Sequence, residues 1–221
     1  MSKIIASKAM FDDVMNSTKV KVFDLDETLV STEELYVEAY IRALSKSGME
    51  FDKCIWNSID NNLNYFEIIR RYREISNLSF DIDDLLNECK KFSREMLLDP
   101  EVRLKENSEI TEIVKKYAGI NTIFLLTHND AYYAELTLKK LNIYKYFDEV
   151  ISVYESTHIN PKLPELERIF NQAKIEKKKV AYFEDRQKYL TIAKNLGIIT
   201  IGVIGNYSFP SNADWLIDVR Y

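Results

Sequence analysis

The chain has 221 residues, 46% of them hydrophobic, and a net charge of −5, which suits one large domain or a core with a modest insertion. The acidic balance argues against a nucleic-acid polymer as partner, because binding a phosphate backbone wants a basic surface. No apolar run approaches the roughly 20 residues that span a bilayer, and MSKIIASKAMFDDVMNSTK does not read as a signal peptide, so the expectation is a cytoplasmic protein with no membrane partner.

In chain order, KVKVFD at 19–24 is a short, apolar, β-rich run that predicts a buried strand. A long helical stretch follows. Leu35, Ala39, Tyr40, Ala43 and Leu44 recur at helical spacing before Gly48. Ile55, Ile59, Phe66, Ile69 and Ile75 do the same, and so do Leu85, Leu86, Cys89, Phe92, Met96 and Leu97 until Asp99-Pro100 stops the run. Beyond it, strands are expected at 121–127, 148–154, 179–185 and 197–203. Between and before them lie helical patterns at Glu109–Tyr117, Ala131–Leu141, Pro164–Ala173 and Arg186–Leu196. Alternating strands and helices predict an α/β fold, a Rossmann-like parallel sheet flanked by helices. The expected division is a core of residues 1–31 and 106–221 and a helical insertion of residues 32–105. Cys54 and Cys89 fall in apolar helical surroundings and read as reduced structural thiols.

A parallel sheet binds ligands beyond the carboxyl ends of its strands. The first strand ends in Asp24, with Asp26 and Thr28 just past it. The second ends in Thr127, followed by His128 and Asn129; the fourth ends in Glu184-Asp185; Lys162 follows the third. Clustered carboxylates raise one another's pKa, and burial raises it further, unless a cation lies among them. Mg²⁺ prefers such hard oxygen ligands and keeps sites for substrate oxygens. The Thr127 hydroxyl and the Lys162 ammonium suit a phosphate instead, with His128 and Asn129 beside them as candidate phosphate contacts. The set points to phosphoryl chemistry, with Asp24 as nucleophile and Asp26 as the group that protonates the leaving oxygen and then activates water.

These motifs resemble those of the haloacid dehalogenase-like superfamily, which is mostly phosphatases. DLDET (24–28) is similar to its D-x-D-x-T/V nucleophile motif, FLLT (124–127) to the second motif, Lys162 to the motif-three lysine, and FED (183–185) to the acidic fourth motif. The insertion at 32–105 is similar to the helical cap of the subgroup that includes phosphoglycolate phosphatase and β-phosphoglucomutase. The resemblance implies a Mg²⁺-dependent phosphatase for a small phosphorylated metabolite. Mg²⁺ would be held by Asp24, the backbone carbonyl of Asp26, and Asp185, with Glu184 close by. A phosphomutase or phosphotransferase of the same fold, and a non-catalytic binding module, are the alternatives; a homodimer is an assembly the sequence allows.

The chain departs from the family pattern at several points. The family's usual Gly after the second Asp is Glu27 here. Its lysine is usually followed directly by Pro, whereas here the order is Pro161-Lys162-Leu163-Pro164, a register that puts the ammonium position in question. Lys188 or Tyr189 stands where a further acid often follows motif four. Tyr36 stands where β-phosphoglucomutase carries a cap-helix His, which favours hydrolysis over mutation. His158 reads as structural or exposed. Arg70, Arg71 and Arg73, interleaved with Tyr65, Phe66 and Tyr72, read as a solvated helix face or as a contact for a second anionic group.

Overall fold

The computed structural model describes residues 8–59, 65–154, 160–205 and 210–219. Helix α1 (Lys8–Ser17) leads into β1 (Val20–Phe23) and the short β2 (Val30–Ser31). Helices α2 (Glu33–Lys46), α3 (Lys53–Ser58), α4 (Tyr65–Ser76) and α5 (Ile82–Leu98) follow, then β3 (Lys105–Glu106) and α6 (Ser108–Tyr117). The remainder is β4 (Thr122–Thr127), α7 (Ala131–Lys140), β5 (Glu149–Ser152), α8 (Lys162–Ala173), β6 (Val180–Glu184), α9 (Gln187–Asn195), β7 (Ile199–Ile204) and β8 (Trp215–Asp218). His158 lies outside the described residues.

Two compact units result: Met1–Ser31 with Leu104–Tyr221, and Thr32–Arg103. The second unit ends at Arg103 because Lys105 and Glu106 pair antiparallel with Ser31 and Val30, which ties both ends of the insertion to one ribbon of the first unit.

The first unit holds a six-stranded sheet in the order β5-β4-β1-β6-β7-β8, with every neighbouring pair parallel. Strands β1 and β6 are buried along their whole length, as expected of strands covered on both faces. The chain leaves β1 toward β4 and β5, then returns to lay β6, β7 and β8 on the other side. Strand order therefore reverses around β1, and its carboxyl end is where a ligand site belongs. On one face Val20, Val22, Leu126, Leu166, Ile169 and Tyr182 share a core with Tyr189 and Ala193 of α9. Phe23 and Phe183 are register partners on β1 and β6, and their rings stack at 4.4 Å.

The four inner strands expected from the sequence are present within one or two residues at their ends. The pattern at 148–154 shortens to Glu149–Ser152. The edge strand β8 and the β2–β3 ribbon were not expected: each segment is four residues or fewer, too short to show a period. Helix α8 starts at Lys162 rather than Pro164, because Asn160 accepts from Leu163 N (3.0 Å) and opens the first turn two residues earlier.

In the helical unit, Tyr40, Phe51, Trp56 and Tyr72 form an aromatic cluster. Its polar edges are satisfied: Trp56 Nε1 donates to Glu33 Oε1 (2.8 Å), and Asp52 N donates to the Tyr72 hydroxyl (2.6 Å). Tyr72 is thus a core residue, while Arg70 and Arg71 lie exposed and Arg73 donates to Phe80 O. Cys54 is exposed and Cys89 buried, both as free thiols. Among the described residues, no helix is long and apolar enough to cross a membrane.

Candidate active site

The Phe23–Phe183 pairing sets the site. One residue further along, Asp24 N still donates to Phe183 O (2.9 Å), so the Asp24 and Glu184 side chains emerge next to each other at the carboxyl edge of the sheet. Asp24 and Glu184 are buried, at 6% and 0% exposure, and Asp185 follows at 7%. These three carboxylates bring ligand oxygens within 4.8 Å of one another.

Lys162 enters this cluster from the first turn of α8. A helical side chain leans toward its helix N-terminus, and that direction carries the ammonium to the sheet edge. Its Nζ lies 2.5 Å from Asp24 Oδ1 and 2.7 Å from Glu184 Oε2, at 1% exposure. With Pro161 before it and Leu163 after it, the Lys162 ammonium reaches the acidic cluster. The ring of Tyr189 lies under the ammonium, with 5.0 Å from Nζ to its centroid. Tyr189, at a position where a further acid often follows the fourth motif, thus presents a π face to the ammonium.

Burial, then the charge of Glu184, push the Asp24 carboxyl up to about 7 against the pull of Lys162. Burial and the charges of Glu184 and Asp24 hold Asp185 well above the usual carboxylate range. Glu184 goes the other way. Burial opposes its charge, but Lys162 and donors that include the Tyr182 hydroxyl (2.5 Å) bring it down to about 2. Arg186 N donates to its other oxygen. Burial disfavours the charge of Lys162, yet Asp24 and Glu184 raise its pKa. One lysine does not balance three carboxylates. The donor set is all hard oxygen, with no thiolate or imidazole, and it fits a divalent cation of the Mg²⁺, Ca²⁺ or Mn²⁺ kind.

The turn after β1 positions Asp26. Glu27 takes a left-handed conformation (φ 56°) and donates its N–H to Val30 O (2.7 Å), and Leu29 N returns to Leu25 O (2.8 Å). That backbone explains why Gly suits this position in the family motif. Asn107, from the loop ahead of α6, clamps the turn by donating to Thr28 O (2.8 Å). The Asp26 side chain lies outside the acidic trio; its Oδ2 accepts from Asn129 Nδ2 at 2.6 Å.

At the end of β4, the buried Thr127 hydroxyl accepts from Asn129 N (3.1 Å). The His128 ring packs at a tilt on Tyr189 (centroids 4.9 Å apart), and its Nε2 is buried without a hydrogen-bond partner among the described residues. Burial and the nearby Lys162 lower the imidazole pKa to about 3, so it is neutral. The structure therefore gathers Asp24, Glu184, Asp185 and Lys162 into one cluster, and couples Asp26 to Asn129 beside it. Tyr182 and Tyr189 were not singled out as site residues from the sequence. Tyr182 was findable, because residues two apart on a strand share a face and it stands two before Glu184.

Known proteins resemble the chain in sequence and in fold. The haloacid dehalogenase-like hydrolase family model matches residues 21–203. The fructose-1-phosphate phosphatase YqaB of Escherichia coli K12 is 22% identical over 182 residues, covering 82% of this chain and 94% of that protein. Two crystal structures share the fold. One, described as a predicted phosphoglycolate phosphatase of Haemophilus somnus, has a TM-score of 0.75 at 16% identity over 90% of this chain and 93% of its own. The other, CbbY of Rhodobacter sphaeroides in complex with phosphate, has a TM-score of 0.73 at 17% identity over the same shares of the two chains, 90% and 93%. The model match spans most of the chain, from the start of β1 into β7, and every residue of the acidic cluster falls inside it: the chain belongs to the haloacid dehalogenase-like hydrolase family.

Proposed function

We propose that the protein is a Mg²⁺-dependent phosphatase acting on a small phosphorylated metabolite through an aspartyl-phosphate. The observation that carries this reading is the buried Lys162 ammonium bridging Asp24 Oδ1 and Glu184 Oε2 within an acidic trio. Asp24 is the nucleophile. Its carboxylate oxygen bonds to phosphorus as the bond to the ester oxygen breaks, and Asp26 gives that oxygen its proton. In the second half, Asp26 takes a proton from water as the water oxygen bonds to phosphorus and the phosphorus–Asp24 bond breaks, releasing phosphate and restoring the carboxylate. Lys162 holds the Asp24 carboxylate in place and offsets charge on the phosphoryl oxygens. The Thr127 hydroxyl and the backbone N–H groups of the following loop bind the phosphate.

Asp24, Asp185 and Glu184, with the carbonyl of Asp26, would hold Mg²⁺, which supplies Lewis-acid charge for the phosphoryl oxygens. The inserted helical unit serves as the substrate-selecting cap. The activity named for the E. coli relative supports a sugar phosphate as the substrate class.

The test is phosphate release from a panel of phosphorylated metabolites and p-nitrophenyl phosphate, with and without Mg²⁺, beside Asp24→Asn. Release that needs both the cation and Asp24, with a loss of roughly 10³-fold or more in the variant, supports the reading. A folded protein that releases nothing in Mg²⁺ sinks it.

A further inference from the structure

Asn129 was expected from its place after Thr127 to meet the substrate phosphate. The structure gives its side chain another partner. Nδ2 donates to Asp26 Oδ2 at 2.6 Å, a short contact for an amide and a carboxylate. The residue is fixed on both sides of that contact. Its N–H donates to Thr127 Oγ1 (3.1 Å), and its carbonyl accepts from Ser152 Oγ at the end of β5 (2.7 Å). The Asn129 backbone is thus tied to the ends of β4 and β5, and the side chain reaches from there to the turn after β1. That turn is clamped from its other side by Asn107.

We infer that Asn129 is the positioning residue for Asp26: the Nδ2–Oδ2 hydrogen bond aims the carboxyl group at the leaving oxygen. The inference rests on the phosphatase reading above. An N–H donor on Oδ2 occupies a lone pair there, so a proton on Asp26 is carried on Oδ1. A carboxyl group held on one oxygen presents the other in a fixed direction, and proton transfer depends on that geometry before it depends on acidity.

This role predicts a pattern that phosphate binding does not. A p-nitrophenolate leaves without help, whereas an alkoxide leaves only as it is protonated. Misaiming Asp26 therefore slows the first half selectively for alkyl esters, the half that kcat/KM reads, whereas the water attack of the second half is common to both esters. The experiment compares wild type with Asn129→Ala and Asn129→Asp in saturating Mg²⁺, using p-nitrophenyl phosphate and the best alkyl phosphomonoester of the panel. Inhibition by inorganic phosphate and thermal melting are measured alongside. In Asn129→Ala, kcat/KM for the alkyl ester should fall about 10-fold more than for the aryl ester, with phosphate inhibition unchanged. Asn129→Asp keeps the size but sets an acceptor against an acceptor, and should show the same selectivity, more strongly.

Equal losses of kcat/KM on both esters with weakened phosphate inhibition would overturn the inference in favour of a phosphate contact. A lower melting temperature with an unchanged alkyl-to-aryl ratio would overturn it in favour of a packing role. Wild type that releases phosphate from no ester defeats the phosphatase reading itself, and the inference with it; that failure shows before any variant is compared.

Discussion

Lys21, the second residue of β1, and Lys162, which reaches the far end of the same strand from α8, are both closed to solvent, at 0% and 1% exposure. Their surroundings differ in kind. Lys162 faces two carboxylates. Lys21 donates to Met15 O (3.0 Å), Thr18 Oγ1 (3.0 Å) and Asn121 Oδ1 (2.6 Å), and lies over the Tyr117 ring (3.9 Å). None of these carries a charge. The pKa values separate accordingly. Burial, then the charges of Lys116 and Lys19, bring Lys21 down to about 7, while Asp24 and Glu184 raise Lys162 despite its burial. The same side chain at two ends of one strand is in one place a spacer that ties α1 to the sheet and in the other a fixed charge. Neutral acceptors satisfy donors without stabilising a cation as carboxylates do.

Removing Lys162 should have the larger effect. Lys162→Met leaves Asp24 and Glu184 buried side by side without their cation, a loss of about 3–5 kcal/mol at neutral pH together with the activity. In the variant both carboxyls take folded pKa values above their unfolded ones. The folded protein then binds more protons than the unfolded chain, so stability falls as pH rises above about 4. Denaturant melts from pH 4 to 8 read this; a variant as stable as wild type at pH 8 would break the comparison.

Lys21→Met should cost less, about 1–2 kcal/mol at pH 7, because it strands acceptors but buries no unpaired charge. Its signature lies in the pH slope. Between about 7, the folded value, and the ordinary 10.5, the unfolded chain holds a proton on Lys21 that the folded protein has released. The unfolded state binds more protons there, so Lys21 makes wild-type stability rise with pH across that window. The variant should lose that contribution, and the gap between the two proteins should widen from pH 7 to 10. A constant gap would mean that Lys21 stays charged in the folded protein.

The smallest effect belongs to the turn just past β1. Glu27 sits at φ 56°, a conformation that disfavours side chains with a Cβ by about 1 kcal/mol. Its carboxylate accepts long bonds from Ser31 Oγ, 3.3 and 3.2 Å. Glu27→Gly should therefore stabilise by up to about 1 kcal/mol, read as a raised denaturation midpoint with activity retained. Destabilisation would show that the contacts of the Glu27 side chain outweigh the backbone strain.

What was legible in the sequence follows from period and position. Strands buried on both faces are continuous apolar runs, so β1, β4, β6 and β7 stood out, and a helix between each pair of inner strands implied a parallel sheet. Asp24, Thr127 and Glu184-Asp185 were readable as a group because the carboxyl ends of parallel strands share one edge. Pairings were not readable. Nothing in the spacing of Lys162 shows that its ammonium lies between Asp24 and Glu184, because that depends on where α8 begins, and Pro164 suggested a later start. Asn129 looked like a phosphate contact because it follows Thr127; its bond to Asp26 joins residues 103 apart in the chain. Lys21 carried no sequence signal of burial, since a lysine in a strand ordinarily snorkels to water. The local sequence determined which residues reach the sheet edge, through hydrophobic period and chain order. Only the tertiary structure decided which of them touch, and so which charges are compensated, because burial and partner distance are set by elements far apart in the chain.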